Sequence, residues 1–171
     1  VFAAANHVAE FCDHVEVITS FGSYDSYEDL ARSSLKENIT LHPIYRKDAP
    51  TTRKCRFIDT GYSMRKLFEV YFMDDRPLSE DNESNLNKLI EDRMVEADVV
   101  VVTDFGHGLL NKNTIELLKE KAPFLAVNAQ SNSANHGFNL ISKYDRSDYI
   151  CIDGPEARLA VHDKYASLET I

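Results

Sequence analysis

An α/β fold is predicted from three features of the chain. Ala97-Asp98-Val99-Val100-Val101-Val102-Thr103-Asp104-Phe105-Gly106-His107-Gly108 reads as a strand of four consecutive valines that runs into a carboxylate and a two-glycine turn. Such a strand lacks polar alternation, so it is expected to be covered on both faces, as in a parallel sheet flanked by helices. The amino end reads helix, strand, helix, and a helix-then-strand order resumes from Ser79, which is the rhythm of a doubly wound protein. Sheets of that kind bind ligands beyond the carboxyl ends of their strands, which is where Asp104, Gly106 and Gly108 would lie.

Taken in order, Val1 to Cys12 carries a helical stripe of Val1, Ala4, Ala5, Val8, Ala9 and Cys12, followed by a strand from Val15 to Phe21 that closes on Gly22-Ser23. Asp25 is positioned to cap a helix over about 26–36, with Tyr27, Leu30, Ala31 and Leu35 facing inward. The next segment differs in kind. Ile39 to Tyr45, Thr51 to Asp59 and Leu67 to Met73 are strand-like runs joined by Lys47-Asp48-Ala49-Pro50 and Gly61-Tyr62-Ser63, with no helix between them. They are expected to form an antiparallel subsheet over about 39–75, either a flap over a site or an edge extension of the main sheet.

Ser79 with Glu80, Asp81 and Glu83 starts a helix whose apolar face is Leu86, Leu89, Ile90, Met94 and Ala97. After the valine strand come a helix over about 113–121 and strands at Phe124 to Val127 and Tyr149 to Ile152. Gly154-Pro155 then opens a last helix from Glu156 to about His162. The polar stretch Asn128 to Asn135 is read as a loop carrying part of the site.

Composition narrows the function. The 171 residues, 43% of them hydrophobic, suffice for one core, and a single domain over 1–171 is the default. A net charge of -9, from 28 acidic and 19 basic residues, argues against a general nucleic-acid or anionic-membrane surface, although a local basic patch remains open. Cys12, Cys55 and Cys151 suggest neither a disulfide framework nor a metal motif, and reduced cytoplasmic thiols are the expectation. No apolar run approaches about 18 residues, and Val1-Phe2 opens the chain with neither Met nor a basic segment, so no signal peptide or membrane span is read. The six histidines lack zinc-type spacing, and there is no serine-hydrolase elbow, Walker loop or dinucleotide fingerprint.

Three constellations carry chemistry. Alternation along Thr51 to Asp59 puts Thr52, Lys54 and Arg56 on one strand face and Arg53, Cys55 and Phe57 on the other. Two cations and a hydroxyl suit a phosphate or hydroxylated anion, or form a solvated face. Asp104 suits a sugar hydroxyl or a metal-bound water, with Gly106 letting backbone approach a ligand; alternatively Asp104 caps its own turn. Asp153 and Glu156 straddle the start of the last helix, where they would hold waters around Mg²⁺ or serve as an N-cap and a first-turn acid.

Together these segments resemble the ribokinase-like (PfkB-type) carbohydrate kinases, nearest the heptose-phosphate kinase branch, over most of the chain. Ala5-Asn6-His7-Val8-Ala9 is similar to the family's helix after a Gly-Gly turn, which implies a sugar contact for Asn6. Ala49 to Ile58 is similar to the Pro-Thr-Thr-x-Lys-x-Arg lid strand, which implies that Lys54 and Arg56 face the sugar phosphate. Ala97 to Gly108 is similar to the segment ending Ser-Asp-Tyr-Gly-Lys-Gly, and Ile152 to Glu156 resembles Asn-x-x-Glu, with Asp153 in place of Asn.

The resemblance implies a three-layer α/β/α sandwich with a small β lid, incomplete at both ends. It also implies ATP and Mg²⁺ as cofactors, with Asp153 and Glu156 on the nucleotide and metal side and Asn128 on the substrate side. His107 replaces a usual Lys, and Val127-Asn128-Ala129-Gln130 replaces a usual Val-Asp-Pro-Lys. The Gly-Gly turn before Asn6 is absent, and no Gly-Ala-Gly-Asp segment follows Glu156, so the chain resembles an internal piece holding the sugar side and lid but not the catalytic base. Expected partners are a sugar or sugar phosphate, a second copy paired through the lid, and a fused nucleotidyltransferase. Nucleic acid and membrane are not expected. The competing expectation is a non-catalytic sugar-binding or structural module that kept the fold and lost the transfer chemistry.

Overall fold

The computed structural model describes residues 1–171 and shows a mixed α/β protein with parallel and antiparallel sheets. The chain divides into two compact units, Val1–Asp74 and Asp75–Ile171. No helix is long and apolar enough to cross a membrane.

The first unit runs α1 (Phe2–Val8), β1 (Val15–Tyr24), α2 (Glu28–Ser33), β2 (Ile39–Pro50), β3 (Arg53–Asp59) and β4 (Arg65–Phe72). β1 and β2 are parallel, with Val15 opposite Ile39 and Phe21 opposite Tyr45, and α2 makes the crossover. Alternate residues of the two strands, Val17, Phe21 and Leu41, point into a core shared with Ala5 of α1 and Ala31 of α2. Phe2 stacks on Phe21 with ring centroids 6.0 Å apart. Burying Phe21 contributes about 1.5–3 kcal/mol, and that burial is what selects the register of β1.

Three expectations are corrected in this unit. The run beginning at Ile39 is not part of an antiparallel subsheet, because Ile39 and Leu41 turn toward the apolar core beneath β1 and pair there in parallel; only β3 and β4 form an antiparallel hairpin. The stripe from Val1 to Cys12 is helical only to Val8, since Asn38 Nδ2 donates to the carbonyls of Ala9 and Cys12 and turns the chain toward β2. The second helix is shorter than expected and is not capped by Asp25. Tyr27 occupies the cap position with φ 52°, and Leu30 faces solvent. Thr51 holds that start away from a regular cap by donating to the Ser26 carbonyl at 2.7 Å. At the other end, the Ser33 and Ser34 hydroxyls bond back to the Leu30 and Ala31 carbonyls, a competition with the backbone ladder that favours ending a helix.

The second unit runs α3 (Glu80–Met94), β5 (Val100–Asp104), α4 (Lys112–Lys121), β6 (Leu125–Ala129), a 3₁₀ turn (Ile141–Lys143), β7 (Tyr149–Ile150) and α5 (Gly154–Ala160). β5, β6 and β7 form a parallel sheet in that order, Val100 opposite Leu125 and Val127 opposite Ile150. Ser79 caps α3 by accepting from the Asn82 amide at 3.4 Å, and Asn111 caps α4 by accepting from the Thr114 amide at 3.1 Å. Leu86, Ile90, Ile115, Leu118, Leu125 and Val127 are buried.

The valine strand departs from its expected double cover. Val102 is buried, but Val99 and Val101 remain 52% and 51% exposed. Alternation therefore exists in the environment of β5 even though it is absent from its residue types.

Candidate functional site

The basic face of the hairpin is built by register. Lys54 lies opposite Tyr71 and Arg56 opposite Glu69, so all four side chains share one face of β3 and β4. Glu69 Oε2 accepts from Lys54 Nζ at 3.1 Å and from Arg56 Nε at 3.0 Å, while its Oε1 accepts from Lys66 Nζ at 2.7 Å. The Lys66 bond, followed by those of Lys54 and Arg56, holds the Glu69 carboxyl down at about 2. Lys54 is pushed up by its interactions with Tyr71 and then Glu69, and its ammonium stands 4.8 Å from the Tyr71 ring centroid. Three cations thus meet one carboxylate, and the cluster carries net positive charge in an acidic chain.

The opposite face of the hairpin pairs Cys55 with Val70 and Phe57 with Phe68, and carries Arg53 at its start. Phe57 stacks on Phe68 at 4.4 Å, and Arg53 lies 4.5 Å from the Phe72 ring and 5.5 Å from Tyr27. Thr52 precedes β3 and is exposed. Its neighbour Thr51 is the structural hydroxyl, accepting from the Gly22 amide at 2.8 Å while donating to Ser26. Gly22 is required there because a Cβ would stand 2.2 Å from the Pro50 carbonyl carbon.

Asn6 is committed elsewhere in the same unit. Its Nδ2 donates to the Ser34 carbonyl at 2.8 Å and its Oδ1 accepts from the Lys36 amide at 3.0 Å, so it ties α1 to the turn entering β2. Lys54 and Arg56 follow the other end of that 12-residue strand. The structure does not bring Asn6 to the two cations.

In the second unit, Asp104 ends β5 as a buried carboxylate with four donors. Oδ1 accepts from the Gly106 amide at 2.9 Å and from Asn139 Nδ2 at 3.3 Å; Oδ2 accepts from the Tyr144 hydroxyl at 2.7 Å and from Lys143 Nζ at 2.5 Å. Burial, reinforced by Asp104, pushes the Tyr144 hydroxyl far up, so Tyr144 stays protonated and donates. Gly106 adopts φ +67°, and a Cβ there would stand 2.2 Å from Asn135 Nδ2. Close approach at this glycine is to the protein's own loop, since Asn132 and Asn135 both donate to the Phe105 carbonyl.

Asn128 donates from Nδ2 to the Cys151 carbonyl at 2.6 Å, joining the ends of β6 and β7. Asp153 and Glu156 form a capping box: Asp153 Oδ1 accepts from the Glu156 amide at 2.8 Å and Glu156 Oε2 from the Asp153 amide at 3.0 Å. Glu156 Oε1 also accepts from the Ser131 amide at 2.9 Å. Three of the four carboxylate oxygens therefore already hold backbone donors. No group of three or more His, Cys, Asp or Glu side chains gathers to hold a metal. The pair is thus observed as an N-cap and a first-turn acid, with lone pairs to spare on both carboxylates.

Asn6, Thr52, Lys54 and Arg56 belong to the first unit, and Asp104, Gly106, Asn128, Asp153 and Glu156 to the second. Sequence reasoning missed Glu69, Asn139, Lys143 and Tyr144. Glu69 is found only through the β3–β4 register. The other three are drawn to Asp104 across 35–40 residues of chain, a separation with no local periodic signal. No protein-family model matches the chain, and no curated protein matches it.

Proposed function

We propose that the complete protein transfers the terminal phosphoryl group of ATP to a hydroxyl of a sugar or sugar phosphate, on a ribokinase-like α/β/α sandwich. In this reading residues 1–171 hold the sugar side and the lid. The carrying observation is that Lys54, Arg56 and Lys66 converge on one hairpin face with only Glu69 against them. A phosphorylated substrate supplies the missing negative charge, and charge-assisted bonds to Lys54 and Arg56 would fix its position.

A sugar hydroxyl reaches Asp104 only by displacing one of its four donors, of which Lys143 is partly exposed whereas Asn139 and Tyr144 are buried. Asp104 is thus a group that orders the 130–144 loop first and meets substrate second. No residue of this chain is assigned as the base, and Asp153 with Glu156 would organise Mg²⁺ through water molecules on the lone pairs that their backbone donors leave. The hairpin face that carries Phe57, Phe68 and Phe72, each about half exposed, suits pairing with a second copy through the lid, because a lone two-stranded sheet is marginal in water.

A titration of residues 1–171 with ribose 5-phosphate, followed by amide chemical shifts, tests the reading. Shifts confined to β3 and β4 that disappear in Lys54→Ala and Arg56→Ala support it; binding that ignores both substitutions ends it. The non-catalytic module is favoured by one observation, the internal commitment of Asp104 and Asn128 to backbone and loop partners. Phosphorylated product from the full-length protein with ATP separates the two readings.

A further inference from the structure

Glu69 has a role that the anion-binding reading of Lys54 and Arg56 does not give it. Within Arg53–Phe72 five cations stand against two acids, Asp59 and Glu69, and only Glu69 sits among the cations of the polar face. Its two oxygens occupy the space an anionic oxygen of a ligand would need, since Oε2 takes one donor from Lys54 and one from Arg56 at about hydrogen-bond length. The Glu69 side chain is 14% exposed, whereas those of Lys54, Arg56 and Lys66 are 36%, 60% and 53% exposed. The carboxylate is the inner member of the cluster and the cations are the outer ones, free to swing toward solvent on long stems.

Resting on the proposed anion-binding function, we infer that Glu69 is a built-in counter-ion that competes with the phosphorylated ligand for Lys54 and Arg56 and so sets the affinity of the lid. With no ligand bound, Glu69 keeps the cations folded onto the strand. With one bound, Lys54 and Arg56 turn outward to the ligand phosphate, and Lys66 remains as the partner of Glu69 on its other oxygen. The sharing is workable because ion pairs this exposed are weak individually, so exchanging one acceptor for another costs little.

Glu69 is ionised throughout the physiological range, so any pH dependence of the competition there comes from the second ionisation of the ligand phosphate, at about pH 6, and not from Glu69. It discriminates by ligand charge: a phosphate dianion outcompetes a carboxylate, whereas a neutral sugar gains nothing.

The test compares ribose 5-phosphate and inorganic phosphate binding to residues 1–171, as wild type and as Glu69→Gln, Glu69→Ala and the double variant Lys54→Ala/Arg56→Ala, at low ionic strength and near-neutral pH. Hairpin amide shifts report binding, and the ring-current shifts of the Phe57–Phe68 stack show that the hairpin is intact. Expected is binding about three- to tenfold tighter in both Glu69 variants, the range given by losing a few exposed ion-pair competitions, and loss of binding in the double variant. If an intact Glu69→Gln hairpin binds no better than, or more weakly than, wild type while the double variant still abolishes binding, Glu69 organises the cations instead of competing for them. That result overturns this inference and leaves the anion-binding reading standing. Binding in no protein, or binding indifferent to Lys54 and Arg56, overturns both.

Discussion

The hairpin face and the carboxyl end of β5 are both charged sites, yet they are built in opposite ways. On the hairpin one carboxylate serves three half-exposed cations. At β5 one buried carboxylate is served by four donors from Gly106, Asn139, Lys143 and Tyr144. The first arrangement has donors in excess and can accept an outside anion with small rearrangement. The second has every acceptor position of Asp104 filled, and its removal would strand donors in a place water reaches poorly. Charge at a strand end is therefore not equivalent to a binding site; what matters is whether the protein has left valence unspent.

The largest effect is expected at the saturated carboxylate. Asp104→Ala leaves the Tyr144 hydroxyl and the Gly106 amide without their acceptor, while Lys143 keeps Asn139 Oδ1, and should lower stability by about 2–4 kcal/mol, the cost of stranding buried donors. Urea unfolding monitored within the second unit measures it, and a loss below about 1 kcal/mol would show that Asp104 is not the anchor described. Next in size is Gly106→Ala, which combines φ +67° with the collision at Asn135; about 1–3 kcal/mol is expected, together with loosened hydrogen-exchange protection at Asn132 and Asn135.

The contrast sharpens with the hairpin substitutions. Lys54→Ala and Arg56→Ala should each change stability by less than about 0.5 kcal/mol, since neither is buried. Each should nonetheless weaken ribose 5-phosphate binding by about tenfold, given the worth of a charge-assisted bond. Equal costs in stability at Lys54 and Asp104 would erase the distinction between the two sites.

The smallest effect is in pH dependence. The Glu69 carboxyl is held at about 2 in the folded protein, below its ordinary value. The stabilisation it brings is complete above the unfolded carboxylate pKa of about 4.3 and is lost as pH falls through about 2. The difference in Tm between wild type and Glu69→Gln should accordingly stay flat from neutral pH to about 5 and shrink only below that. A difference that varies between pH 6 and 8 would place the titrating group elsewhere.

Much of the local structure was legible without coordinates. Ser79 before Glu80, Asp81 and Glu83 signals a capped helix because a hydroxyl and first-turn acids satisfy its free amides, and α3 begins there. Asp153 and Glu156 stand three apart, and the capping-box alternative for them is the contact observed. Alternation along β3 put Lys54 and Arg56 on one face and Arg53 and Phe57 on the other, and the partners of these residues obey it. Element ends were less legible. Asp25 looks like a cap in isolation, yet Thr51, far along the chain, decides how Ser26 and Tyr27 are held.

By itself, then, the amino-acid order determined the α/β class, the periodic faces and the paired cations of β3, because these depend on interactions between residues a turn or a pleat apart. Only tertiary structure decided that β2 pairs with β1 in parallel, that Glu69 opposes Arg56, and that Asp104 is closed by side chains from far along the chain. Pairing across long loops is chosen by which apolar faces can be buried together and which donors would otherwise go unsatisfied, and neither is a property of any short stretch of residues.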